Sequence, residues 1–272
     1  LSNRTYNNRI QVTYASGMNE KGLAIVAAVS GRFGNALSYV DGTSYNACSY
    51  FLSLEKKINA VHALNFAAFG APTQRGVQGN SVGEAYDIVG SHYYNPNWGW
   101  YQGKKRNARM KYTHEPVYQL THYYTPSRKL TMTTTLTGTF GKTSTTSLNW
   151  YDAQDPRPDY YRYLPSYQIE KGDTTATYWS VLDAWRNDPN VRQINWDRMY
   201  EVNQLAARDG KRAQYMVENR CIDHFMIGGV TNAVYNINDN IKFVYGVDIR
   251  GTQQHNYKTI DDLLGGAYWL DI

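Results

Sequence analysis

The chain has 272 residues, with 28 Lys and Arg against 23 Asp and Glu, and 25 Tyr and 7 Trp against 7 Phe. No run of ~18 apolar residues occurs, which excludes a transmembrane helix but not a membrane β-barrel, whose strands need only alternate residues apolar. Charges are scattered without a run of five like signs, so a nucleic-acid partner has no support. The preponderance of rings with a polar group suits a membrane–water interface or a ligand platform.

Taken in order, the chain reads as four hairpins. Ile10, Val12 and Tyr14 alternate with Arg9, Gln11 and Thr13. A turn over 17–22 then leads into Leu23, Ile25, Ala27, Val29 and Phe33. After a longer loop, 34–47, Tyr50, Leu52 and Leu54 alternate with Ser49, Ser53 and Glu55. A compact turn at 56–59 precedes a return strand carrying Leu64, Phe66 and Ala68. A long loop over 71–111 leads to the strongest hairpin, with arms at 112–124 and 130–140. Its second arm puts Leu130, Met132, Leu136 and Phe140 on even positions and a Thr series on odd ones, the period of a strand with two unlike faces. Arms this long exceed the usual ~5–6 residues and suit a bilayer-spanning strand of ~9–11. After Lys142 comes the longest excursion, to about Ala213, and then a strand over 214–235. Its alternation breaks at 223–225, which predicts a bulge there. The last strand sets Ile241, Phe243, Tyr245, Val247 and Ile249 against Lys242, Asp248 and Arg250.

Connections thus alternate short and long, so every tight turn falls at one end of a meander and every long loop at the other. The predicted fold is all-β, an antiparallel transmembrane β-barrel meander of about eight strands with long, partly helical extracellular loops, belonging to a larger barrel. Turns at 17–22, 55–60, 125–129 and 236–240 are expected to face the periplasm, and loops at 34–47, 71–111 and 143–213 the outside. The spacing at 178–187 and 196–207 predicts two helices, the second with Asp197 and Glu201 early and Arg208 late, as the helix dipole favours. The chain opens at Leu1 without an initiator Met or signal peptide, which predicts a piece of a longer protein.

Several strings resemble the barrel of TonB-dependent outer-membrane receptors of the Bacteroidetes type: residues 65–72, 98–105, 156–167, 191–200 and 260–271. The resemblance spans nearly the whole chain and treats residues 1–272 as one barrel segment. It implies a barrel of about 22 strands plugged by an N-terminal domain, importing a scarce nutrient with energy from the TonB complex. The plug, the TonB-contacting segment and an aromatic-ended terminal strand are not among these strings. The implied partners are outer-membrane lipid, TonB through a missing N-terminal part, a surface lipoprotein, and a small nutrient that is a glycan, a peptide or a chelate. The implied location is the outer membrane of a Gram-negative bacterium.

The candidate ligand contacts are Arg157, Tyr160, Tyr161, Arg162 and Tyr163, where two prolines limit backbone freedom beside three rings and two guanidinium groups, expected at the mouth over the lumen. Trp98, Trp100 and Tyr101 join them. No cofactor, catalytic residue or metal ligand is predicted. His114 and His122 would lie ~26 Å apart along one strand, too far for one metal. Asp155, Asp159, Glu170, Asp173 and Asp183 keep open a soluble or surface-attached, β-rich carbohydrate-binding or glycan-cleaving domain. The Asp261-Asp262 pair reads as a loop anchor. Cys48 and Cys221, on strands about 19 Å apart, are expected to be free thiols.

Overall fold

A computed structural model describes residues 6–34, 39–172 and 175–271. Asp173 therefore lies outside the described residues. The first hairpin is β1 (Asn8–Ala15) and β2 (Leu23–Phe33), and the second β3 (Ser44–Lys57) and β4 (His62–Gly70). The loop between β4 and the central hairpin holds β5 (Thr73–Gly76), α1 (Gly83–Val89), a small hairpin of β6 (Trp98–Tyr101) and β7 (Lys104–Asn107), and β8 (Met110–His114). The central hairpin follows as β9 (Val117–Ser127) and β10 (Leu130–Trp150). Then come α2 (Pro165–Glu170), α3 (Thr175–Asn187) and α4 (Trp196–Arg208), and finally β11 (Tyr215–Asn238) and β12 (Ile241–Asp262). No described helix is long and apolar enough to cross a membrane.

One antiparallel meander runs β1-β2-β3-β4-β9-β10-β11-β12. At its loop end β5 and β8 take over from β4 and β9, so that β3, β5, β8 and β10 pair in turn. The predicted arm at 112–124 is therefore not continuous. Pro116 has no N–H to give the ladder, and its carbonyl instead accepts the Thr139 hydroxyl at 2.5 Å. Pro72 interrupts the neighbouring strand at the same height, where its carbonyl accepts the Cys48 N–H at 3.0 Å. Two adjacent strands are thus broken by proline at one level while the flanking β3 and β10 run through.

Three further expectations change. Strand β3 starts at Ser44, before the predicted end of its loop. Strand β10 does not stop near Lys142 but runs to Trp150, and all 21 of its residues pair with β11. From Thr143 to Ser147 both faces carry small polar side chains, so the ladder continues where the period-two signal has vanished. The bulge predicted at 223–225 is absent: Asp223, His224 and Phe225 pair in unbroken register with β10 and β12. Alternation fails there because the apolar band ends, not because the register slips. Irregularities lie instead at Val217/Glu218 and Asn236/Asn238.

The period-two reading holds across the sheet. Cross-strand partners such as Ala27 with Leu52, Leu54 with Phe66, Phe66 with Leu120, and Leu120 with Leu136 set the apolar side chains on one face. Many remain open to the surroundings, Ile10, Val12, Leu136, Phe140, Ile227 and Ile249 among them. An apolar face so extensive is not a water-facing surface. The opposite face carries Thr131, Thr133, Thr135 and Thr137 on β10 and Lys242, Asp248 and Arg250 on β12. The two histidines fall on separate strands rather than one, each as a hydrogen-bonded ring: His122 on β9 meets His62 on β4 (2.9 Å), while His114 on β8 meets the Tyr50 hydroxyl (3.0 Å). Cys48 and Cys221 are free thiols on β3 and β11.

Candidate functional site

The aromatic arch begins where β10 ends. Asp155 takes Arg157 in a fork (Nε 2.9 Å, Nη2 2.5 Å), and its backbone carbonyl accepts the Tyr163 hydroxyl at 2.9 Å. This closes residues 155–163 into a compact loop. Tyr160 stands edge-on to both Tyr161 and Tyr163, with centroids at 4.8 and 5.4 Å. Arg162 Nε donates to the Tyr161 hydroxyl at 3.0 Å, and that bond draws the phenol's pKa below its ordinary value. Burial raises the Asp159 carboxyl, although the Ser81 hydroxyl donates to it at 2.8 Å. Tyr161, Arg162 and Tyr163 remain exposed, while Tyr160 is half-buried. The loop is tied further by Glu84, which accepts both the N–H and the hydroxyl of Ser166 at the start of α2 (2.9 and 2.6 Å).

The second aromatic group is the β6–β7 hairpin. Trp98 is buried and meets Trp100 edge-on at 5.8 Å, with the Lys105 ammonium over both rings. Gly42, at φ +74°, lies so close that a Cβ there would overlap the Trp98 ring. Tyr101 stacks on Tyr200 at 4.7 Å. Arg106 holds this corner together: its guanidinium lies 4.2 Å from the Trp196 ring centroid, pairs with Asp262 at 2.6 Å and donates to the Tyr200 hydroxyl at 3.0 Å. Asp262 is thus a loop anchor, as the sequence suggested.

These groups do not form one site. A cavity of about 530 Å³ is lined by Arg157, Arg162 and Tyr163 together with Trp185, Asn195 and Arg198. A separate cavity of about 710 Å³ is lined by Tyr101, Gln102, Lys104, Lys105, Arg106 and Asn107. Tyr160, Tyr161, Trp98 and Trp100 line neither. The cationic side of the larger cavity escaped the sequence reading. Its signal was the Lys104-Lys105-Arg106 run directly after the Trp98 to Tyr101 strand.

No family model matches the chain, and no curated protein matches its sequence. Solved structures do match. Over 97% of this chain the ferric citrate transporter FecA in the unliganded form superposes with a TM-score of 0.55 at 9% identity. The ferric-catecholate import receptor Fiu from E. coli K12 covers 97% with a TM-score of 0.54 at 9% identity. The siderophore receptor PiuA from Acinetobacter baumannii covers 92%, at 0.51 and 11%. The fold is that of part of an outer-membrane receptor β-barrel. The chain spans about a third of each of those proteins: 29%, 36% and 28%.

In such a barrel the apolar face meets lipid and the polar face lines the lumen. That assignment locates the loop structure. Its core joins Trp196, Met199, Ile194 and Leu264 to Tyr215 and Val217, with Leu148 and Trp150 packed alongside. Along the unbroken β10–β11 ladder these strand residues share the face of Leu136, Phe140, Phe225 and Ile227. The Tyr215 hydroxyl donates to the Gln154 carbonyl at 2.9 Å, so the arch is tied to this same side. The apolar residues that continue this face near Trp150 are the ones with something to bury, and the loops pack on them.

Proposed function

We propose that residues 1–272 form one barrel segment of a TonB-dependent outer-membrane transporter of the Bacteroidetes type. It takes up a scarce nutrient at the surface of a Gram-negative cell and moves it inward with energy delivered by the TonB complex through parts outside this chain. The observation that carries this reading is the antiparallel meander with one apolar face, its tight turns at one end and its long loops at the other. The chain acts as a transporter wall and binding surface, not as an enzyme. A small chelate is the favoured nutrient, since the solved barrels of like fold are a ferric citrate transporter, a siderophore receptor and a ferric-catecholate import receptor. Outer-membrane lipid surrounds the apolar face, and a surface lipoprotein is the further partner that this reading carries. A soluble carbohydrate-binding domain would leave that face without an occupant.

Fractionation tests the class. The full-length protein is expected in the outer-membrane fraction and should need detergent for extraction; release by salt or carbonate alone would refute it. Orientation has its own test in a background with Cys48 and Cys221 replaced by Ser. Intact cells should label Glu170→Cys with an impermeant maleimide and leave Ser127→Cys unlabelled, and the opposite pattern would invert the assignment.

Arg157, Tyr160, Tyr161, Arg162, Tyr163, Trp98, Trp100 and Tyr101 are proposed as ligand contacts, with Tyr161, Tyr163 and Trp100 the best exposed rings among them. A Tyr160→Ala, Tyr161→Ala, Tyr163→Ala variant is expected to assemble normally but bind its nutrient at least tenfold more weakly. Unchanged affinity would make the arch a scaffold.

A further inference from the structure

On the polar face, near the loop end, the register brings residues distant in sequence into one line. Tyr45 on β3 pairs with Arg75 on β5, Arg75 with Lys111 on β8, Lys111 with Thr145 on β10, Thr145 with Arg220 on β11, and Arg220 with Lys258 on β12. Four of the six side chains in this row are cationic, in two directly adjacent pairs separated only by Thr145. Neighbouring strands lie ~4.8 Å apart, so each pair sets two positive charges side by side and the row spans about 19 Å from Arg75 to Lys258.

Like charges directly opposite one another destabilise a sheet. One pair has partial relief. Glu218, with its side chain buried, meets Arg220 Nε at 2.6 Å and Lys258 Nζ at 3.3 Å, and is held in place by Ser147 and Asn149 (3.2 and 3.0 Å). The other pair has none: among the described residues Arg75 and Lys111 have no acidic partner. Glu115, on the same face, lies four residues along from Lys111, ~13 Å at strand rise. It is engaged by the Thr143 hydroxyl at 3.0 Å. The next polar-face line down pairs Thr73, Thr113 and Thr143, which adds hydroxyl donors under the cations. At the Arg75 end a cavity of about 400 Å³ opens, lined by Arg75 and Tyr45 with Tyr39, Gln78 and Tyr93.

We infer that this row is a binding site for a small polyanion, a molecule with at least two phosphate or carboxylate groups, each seated on one cation pair. The inference rests on the transporter reading, which makes the polar face a lumen wall, and it deepens that reading by giving the cargo's charge. A solvated surface would scatter such charges. Here they stand in one line, with one carboxylate against four cations and hydroxyl donors below. A ligand that bridges both pairs presents its anionic groups at least about 10 Å apart, two strand spacings across Thr145.

The test uses the full-length receptor in detergent with inositol hexakisphosphate, whose phosphates across the ring reach that span, as probe and inorganic phosphate as its single-group control, read by calorimetry. Wild type should bind inositol hexakisphosphate saturably and more tightly than phosphate, with affinity falling as salt rises. Arg75→Gln with Lys111→Gln should weaken binding at least tenfold, Lys258→Gln should weaken it through the other pair, and Lys111→Arg should keep it. Equal affinity in wild type and both Gln variants would overturn the site. So would a wild type that does not bind inositol hexakisphosphate, the result expected if an acidic segment of the receptor itself covers the row. Outer-membrane fractionation of the same samples separates the two readings: a wild type absent from that membrane defeats the transporter assignment, whereas a normally inserted receptor indifferent to inositol hexakisphosphate defeats only the anion site.

Discussion

Leu136→Arg is expected to keep the full-length receptor from assembling in the outer membrane, while Thr135→Arg, one residue away, leaves assembly intact. Leu136 sits mid-band between Leu120 and Gly229, with more than half of its surface open on the apolar face. A guanidinium there must leave water for hydrocarbon, at a cost of about 2–4 kcal/mol near the midplane of a β-barrel. Thr135 is on the other face, its hydroxyl 3.0 Å from that of Thr121, where a wet lumen accepts a charge. The fraction of heat-modifiable, membrane-inserted protein reads the difference. Equal assembly of the two variants would mean that the faces are wrongly assigned.

The other large effect is expected in the loops. Trp196 is fully buried, donates its indole N–H to the Arg106 carbonyl at 3.2 Å and carries the Arg106 guanidinium on its ring. Truncating a buried Trp to Ala typically costs about 3–5 kcal/mol. Here the loss falls on the layer that fixes α4 and the β6–β7 hairpin to the top of β10 and β11. Trp196→Ala should speed proteolysis within residues 151–214 by well over tenfold while the strand ladder stays resistant. Trp100→Ala, at a ring nearly half exposed, should change it little. Equal cleavage of both variants would show that Trp196 does not hold the loop layer.

A tighter check of the same layer is Gly99→Ala. A Cβ at Gly99 would overlap the Ile194 carbonyl oxygen, at the point where Ile194 N–H bonds the Trp98 carbonyl (2.9 Å). Backbone cannot yield as a flexible side chain does, so the hairpin must undock. The expected sign is increased protease sensitivity near 98–107, and wild-type resistance would contradict the docking.

What the sequence determined by itself was local. Alternation in the runs 10–14, 23–29, 130–140 and 241–249 set which face is apolar, because a strand's side-chain period is two whatever it pairs with. The tight turns followed from the gaps between those runs. Helices α3 and α4 were legible from their 3.6-residue spacing, and Asn195 caps α4 by accepting the Arg198 N–H at 2.9 Å. The length of β10 was not legible, since threonine and serine on both faces carry no period, and neither was the proline break at 116, which a continuous-looking pattern conceals. The site depended still more on tertiary structure. Arg106, Tyr200 and Asp262 meet across 156 residues of chain. Arg75, Lys111, Arg220 and Lys258 share a line only because the register of five strands holds, and a slip of one residue would turn a strand's charge to the opposite face. Composition shows how many cations there are, but only the ladder decides which of them stand side by side.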